Sequence, residues 1–202
     1  TGNSFLKDIE IESPEQAVQA IQVGKTRPVD VGTLDCSDGS FYFVNLLGAG
    51  FVSSVAHRAR DYKRFGALSY VFGVLQETIR LSPQPVTLTL DDRVEIRDAI
   101  FVEICNSRYT GGAMMMAPNA QIDDGLLDVV VMSRVTRRKL LRLFPKIFSG
   151  THVSDESIEV FRTRSITVAT ERPWLLTPDG ETFGSTPISV GIIPSLLEMY
   201  CP

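Results

Sequence analysis

The stretch PVTLTLDDRVEIRDAIFVEICN, residues 85–106, decides how the chain folds. It divides into PVTLTLDD, RVEIRDA and IFVEICN, three short runs rich in β-branched residues, the first two joined by the tight turn Asp91-Asp92-Arg93. Further runs of the same kind lie downstream: LLDVVVM, SIEVFR, SITVAT, WLLTPDGE and PISVGII. Upstream, Val29, Val31 and Leu34 alternate with polar neighbours as a strand, Ser37-Asp38-Gly39-Ser40 turns, and FYFVNLL returns as its hairpin partner. Helical spacing appears in FVSSVAHRARDYKRF, in GALSYVFGVLQETIRL and in VTRRKLLRLFPKIFSG. In the second, Leu68, Val71, Phe72, Leu75 and Ile79 share one face, expected to cover a sheet. Many short strands against three or four helices predict an α+β, mainly β body, a sandwich with helices at one edge.

Ser13-Pro14-Glu15-Gln16 opens a further helix, with a cap, a Pro at the first helical position and early acid, and Gly24 closes it. The pattern changes between Lys25 and Pro28, so residues 1–27 read as a helical fragment and residues 28–202 as a strand-rich domain. The chain starts at Thr1 with no basic, then apolar, leader, and that start reads as a cut.

Over 202 residues the chain is 44% hydrophobic and 22% charged, enough apolar material for a core without disulfide or metal staples. Cys36, Cys105 and Cys201 have neither the number nor the spacing of a disulfide framework or zinc site, which points to a reducing, cytoplasmic setting. A net charge of −4 argues against nucleic-acid binding. No apolar run is long enough to span a membrane.

Two acidic turns carry the chemistry. In APNAQIDDGLLD, Asp123, Asp124 and Asp128 surround Gly125. Either Asp124 and the carbonyls of Gln121 and Leu126 hold Mg²⁺ or Ca²⁺, or the segment is a turn in which Asp123 caps its own backbone and Asp128 faces solvent. In Thr177-Pro178-Asp179-Gly180-Glu181, either the segment is a hairpin tip, or Asp179, raised in pKa by partial burial, is a general base tuned by Glu181. The strip Arg134, Arg137, Arg138, Lys139, Arg142 and Lys146 makes a basic amphipathic helix that either meets anionic lipid or is merely solvated. Met114-Met115-Met116 beside Gly111-Gly112 form an adaptable apolar loop. His57 and His152 lack partners at ligand spacing and read as surface or capping residues, and Gly48-Ala49-Gly50 is only a weak anion seat.

Taken in order, TGNSF, FVNLLGAGF, GALSYVFGVL, GGAMMMAPNAQIDDGLLDVVV and PDGE resemble the C-terminal part of the diacylglycerol kinase, sphingosine kinase and YegS-like lipid kinase family. The likeness covers essentially the whole chain, and APNAQIDDGLLDVV followed by DGE is its specific part. It implies a β-sandwich-like lipid domain and a missing α/β nucleotide domain that carries a GGDGT motif. The remnant Thr1, Gly2 and Asn3 would then lie on the nucleotide side, with Ser4 where the family usually has Asp.

It further implies Asp179 as proton acceptor from the lipid hydroxyl, Glu181 in the same network, and Mg²⁺ on Asp124 with the carbonyls of Gln121 and Leu126. ATP is the implied co-substrate, and the implied partners are a lipid substrate and a transient anionic membrane surface, with a homodimer left open. Two other readings stand: a non-catalytic lipid- or partner-binding module, and a kinase of sphingoid bases or of soluble metabolites, the last related to NAD kinases.

Overall fold

The computed structural model of the chain describes residues 3–59 and 68–202. Helix α1 (Pro14–Val23) starts and stops as its residues dictate: Ser13 Oγ accepts from the Gln16 amide at 3.3 Å, Pro14 opens the helix, and Gly24 closes it at φ 75°. Strands β1 (Thr26–Cys36) and β2 (Gly39–Phe43) form the expected hairpin. FYFVNLL, however, is not one strand. It breaks at Val44-Asn45 and resumes as β3 (Leu46–Gly50), before helices α2 (Phe51–Ala59) and α3 (Leu68–Ile79). The remainder of the expected helical run between α2 and α3 lies outside the described residues.

Strands β4 (Gln84–Leu90) and β5 (Arg93–Cys105) form a hairpin about Asp91-Asp92, and RVEIRDA and IFVEICN are one continuous strand. A short ribbon, β6 (Tyr109–Thr110) with β7 (Met114–Met115), precedes β8 (Leu127–Ser133). Helix α4 (Arg137–Leu143) tightens into a 3₁₀ segment, Phe144–Ser149, where Pro145 has no N–H to continue the α pattern. Strands β9 (Ile158–Thr163), β10 (Ser165–Thr170), β11 (Leu176–Pro178) and β12 (Ile188–Tyr200) complete the chain.

All the pairings are antiparallel, in the order β11-β3-β5-β4-β10-β12-β1-β2, with β8 also beside β5 and β9 beyond it. The first half of β5 pairs with β4; past a register shift at Ala99/Phe101 its second half runs between β3 and β8. The sheet thereby folds over one core, in which Leu34, Leu88, Val168 and Val190 meet Leu47, Ile104 and Val129. The opposite residues of β3, β5 and β8, among them Leu46, Phe101 and Met132, pack against Phe51, Leu140 and Leu143. This half of the sheet is buried on both faces, which is why its strands are continuously apolar rather than alternating. The mainly β, sandwich-like architecture with flanking helices is therefore present. Residues before β1 pack on the body, Ile9, Ile11 and Ala20 joining Val29 and Ile122 in a third buried cluster.

The expected inward face of α3 is corrected. Gly73, Val74 and Thr78 are buried, whereas Phe72, Leu75 and Ile79 are exposed, Ile79 by 72%; the side chain of Leu68 lies outside the described ones. Arg137 anchors the end of this helix from α4, donating Nε–H to the Thr78 carbonyl and an Nη2–H to that of Ile79, each at 3.0 Å.

Candidate functional site

Asp179 follows β11 directly, at φ 45°, in the turn that Pro178 and Gly180 permit. Its carboxylate lies against the break between β2 and β3. Oδ2 accepts the Val44 N–H at 2.8 Å, and Oδ1 accepts those of Asn45 at 2.9 Å and Leu46 at 3.1 Å. The interruption of FYFVNLL thus frees the amides that make this cradle. In return, the Asp179 amide donates to the Leu46 carbonyl at 2.8 Å, fixing the turn from both sides. Burial of the carboxyl pushes its pKa up and the three N–H donors pull against that rise, while the exposed remainder of the residue screens both effects. Oδ2, holding one donor, keeps a lone pair for a further one. Glu181 is exposed two positions on, its amide donating to the Pro178 carbonyl at 2.8 Å.

Thr177 and Gly180, on either side of Pro178-Asp179, line an apolar pocket between β3, β5 and the helices α2, α3 and α4. It holds about 860 Å³ of empty space, open mouth included, and its walls include Phe51, Val74, Met114, Met116, Leu140 and Leu143. The methionine loop is therefore wall rather than free surface, with Met114 and Met116 both buried.

Two polar groups missed by sequence reasoning also face this pocket. Glu103, on β5, is 3% exposed, its Oε2 has no hydrogen-bond partner, and burial alone raises its pKa to about 8. A carboxylate inside the unbroken apolar run IFVEIC was the available signal, because such a strand is buried on both faces. His152, expected at the surface, is instead 3% exposed. The short segment that carries it folds beneath the Met114–Met116 wall, and its Nε2 lies 3.1 Å from the Met116 carbonyl. A carbonyl only accepts, so Nε2 carries the proton and Nδ1 faces inward without a partner. Nothing in its polar sequence context signals this burial.

The other acidic turn is built differently. Gly125 adopts φ 70° and donates its N–H to Asp30 Oδ2 at 2.6 Å. Asp124 Oδ1 accepts the Leu126 amide at 3.0 Å, while Oδ2 is paired with the Arg162 guanidinium. Asp123, expected to cap its own backbone in the plain-turn reading, is paired with Arg27 at 2.6 Å instead. Nor does Asp128 face solvent: it is 2% exposed, its Oδ2 has no hydrogen-bond partner, and Arg162 Nε stands 3.7 Å away. Burial raises its pKa to about 6; Arg162 opposes that rise and Asp124 adds to it. Asp124 and the backbone carbonyls of Gln121 and Leu126 are oxygen donors of the type a hard cation takes, and here Asp124 Oδ2 is paired with the Arg162 guanidinium. Among the described residues, no cluster of three or more His, Cys, Asp and Glu side chains suits a metal.

Thr1 and Gly2 lie outside the described residues; Asn3 is exposed, and the buried Ser4 accepts the Gly112 N–H on Oγ at 2.7 Å. Of the basic strip, Arg134 pairs with Asp98 and Lys139 with Asp155 and Glu156, and Arg137 caps α3. Arg138, Arg142 and Lys146 are exposed.

Residues 45–201 match the YegS C-terminal NAD kinase beta sandwich-like domain, and the chain belongs to that family. It is 34% identical over its full length to a protein named diacylglycerol kinase from Mycobacterium tuberculosis, covering 67% of that protein. A protein from Stenotrophomonas maltophilia named among the YegS-like lipid kinases is 29% identical, again with 67% of its length covered. A solved structure from Bacillus anthracis str. Sterne, assigned to the diacylglycerol kinases, superposes with a TM-score of 0.78 at 25% identity over 99% of this chain and 66% of that one. The chain thus spans about two thirds of the relatives it matches.

Proposed function

We propose that this chain is the lipid-binding portion of an ATP-dependent lipid kinase, transferring the γ-phosphate of ATP to the hydroxyl of diacylglycerol or a related lipid alcohol. The observation that carries this reading is the acidic turn, whose Thr177 and Gly180 line the apolar pocket on either side of Asp179 in the chain, which we take as placing Asp179 at its rim. An acyl chain in the pocket brings its head hydroxyl to that rim, and the free lone pair of Asp179 Oδ2 accepts the hydroxyl proton as the oxygen attacks phosphorus. Such transfer depends on orientation and charge more than on covalent participation of the protein, and the three-amide cradle supplies the orientation.

Asp124 with the Gln121 and Leu126 carbonyls would hold Mg²⁺, supplying charge that organises the acidic network behind the site. Thr1, Gly2 and Asn3 belong to the nucleotide side, and residues 1–27 to the edge of a nucleotide-binding domain. The experiment is labelled-phosphate transfer to a lipid panel by the full-length protein and its Asp179→Asn variant. Transfer near the wild-type rate in the variant would remove the proton-acceptor assignment.

The elements that line the pocket also carry exposed Phe72, Leu75 and Leu141 and exposed Arg138, Arg142 and Lys146, apolar and basic residues of the kinds that meet an anionic bilayer. Reversing the charge of Arg138, Arg142 and Lys146, none of which anchors α3, is expected to weaken partitioning onto phosphatidylserine vesicles by on the order of 100-fold or more, at about 1 kcal/mol per basic residue lost. Equal co-sedimentation would remove the membrane reading. A non-catalytic lipid-binding module is the second reading, favoured by the fact that backbone amides alone already account for the position of Asp179.

A further inference from the structure

Among the described residues that line the apolar pocket, Glu103 and His152 are the buried side chains that retain an unpartnered polar atom. They are not equivalent. The single N–H of neutral His152 is engaged by the Met116 carbonyl, so its unpartnered Nδ1 is an acceptor. Burial holds the imidazole neutral by lowering its pKa, against the pull of that carbonyl. The hydroxyl of Thr177 is shared with Ser53 at 3.0 Å. Glu103 remains, fully desolvated, and among the described residues no cation pairs with it: burial raises its pKa, which keeps its carboxyl protonated at neutral pH. A protonated carboxyl has one O–H to donate. The pocket therefore has a hydrogen-bond donor set among apolar walls, on the strand that forms its floor.

We propose that Glu103 determines lipid specificity by donating a hydrogen bond to an ester carbonyl of the lipid, so that the pocket selects O-acylated glycerols over lipids that lack that carbonyl. The inference rests on the lipid-kinase reading above and deepens it. Among lipid polar groups, an ester carbonyl accepts and cannot donate, matching the donor that a protonated Glu103 offers. It also sits at the head of the acyl chain, where a chain packed between Met114, Met116 and Leu140 would leave it. An ether-linked lipid has the same chain and head hydroxyl but leaves the carboxyl unpaired, and a site built to satisfy a buried polar group discriminates against such an analogue.

The test compares an ester-linked dioctanoylglycerol with its ether-linked dioctylglycerol counterpart in detergent micelles, measuring binding to the full-length protein by calorimetry and phosphorylation as kcat/KM. Wild type is expected to favour the ester by roughly tenfold or more. Glu103→Leu should bring that ratio close to one while leaving ether-lipid binding intact or better, and Glu103→Gln, whose amide N–H still donates, should retain most of the preference. A ratio unchanged in Glu103→Leu, or no ester preference in wild type, overturns the assignment of Glu103. Failure of wild type to bind either lipid overturns the lipid-site reading itself.

Discussion

The two acidic turns are built from similar residues, Asp-Asp-Gly in one and Asp-Gly-Glu in the other, yet their carboxylates are held by opposite means. Asp179 is gripped by three backbone amides, which are neutral dipoles. Asp124 is gripped by one amide and a guanidinium, which carries a full charge. Amides fix a carboxylate without cancelling its charge, so Asp179 is oriented and still available to a proton. A guanidinium cancels the charge it holds, so Asp124 is committed to a cation. On the proposed reading, the same side chain serves proton transfer in one turn and cation binding in the other, and the donors against it are what differ.

The sharpest way to break this comparison is Asp179→Asn. Asparagine keeps one oxygen for the cradle but turns an NH₂ toward the other amides and has no basic oxygen. Loss of a positioned general base is expected to lower transfer to lipid by about 100- to 10,000-fold. Lipid binding should survive, because the pocket walls are untouched. A parallel collapse of lipid binding or of the thermal transition would show instead that the turn is a structural clip.

Glu103 extends the contrast to a buried carboxyl whose Oε2 has no donor among the described residues, and the consequence is a stability that depends on pH. Its pKa is raised from an ordinary 4.5 to about 8 by burial, so the folded state holds the proton more tightly than the unfolded one. Its contribution to stability is complete below about pH 4.5 and declines as pH rises toward 8. By pH 8 the penalty is roughly 3–5 kcal/mol, at about 1.36 kcal/mol per pKa unit. Denaturant unfolding of wild type and Glu103→Gln between pH 5 and pH 8 should show the difference widening in favour of the variant as pH rises. Parallel pH profiles for the two proteins would mean that Glu103 is not a neutral buried acid.

Much of this was legible in the sequence wherever the signal was local. Ser13, Pro14 and Gly24 bounded α1, the β-branched runs in residues 85–106 marked the β body, and each DG pair marked its turn. The partners of those turns were not legible. The cradle requires FYFVNLL to stop pairing at Val44-Asn45, and its amides lie 133 to 135 positions from Asp179 in the chain. Arg162 reaches Asp124 only because β8 and β9 are neighbours, with Asp128 opposite Arg162 in register. The face of α3 was misjudged for a similar reason: its apolar stripe is regular, but Arg137 and the α4 contact turn Val74 and Thr78 inward. Periodicity identifies a stripe without saying whether the body or something outside the chain covers it.

The smallest expected effect belongs to the guanidinium, and it decides whether the second turn is a cation site. If Arg162 only completes a structural ion pair, Arg162→Gln should cost stability, leaving the acidic pair of Asp124 and Asp128 repelling across a partly buried space. If a divalent ion shares that space, the same change removes a competing positive charge, and the Mg²⁺ concentration for half-maximal kinase activity should fall several-fold. Asp124→Ala should move it the other way by about tenfold, as loss of a carboxylate contact to a metal typically does. Opposite shifts in the two variants would identify Asp124 as a cation ligand for which Arg162 competes. Coincident titrations in wild type and both variants would assign the turn to architecture alone, with its charge balanced by Arg162 as the fold shows it.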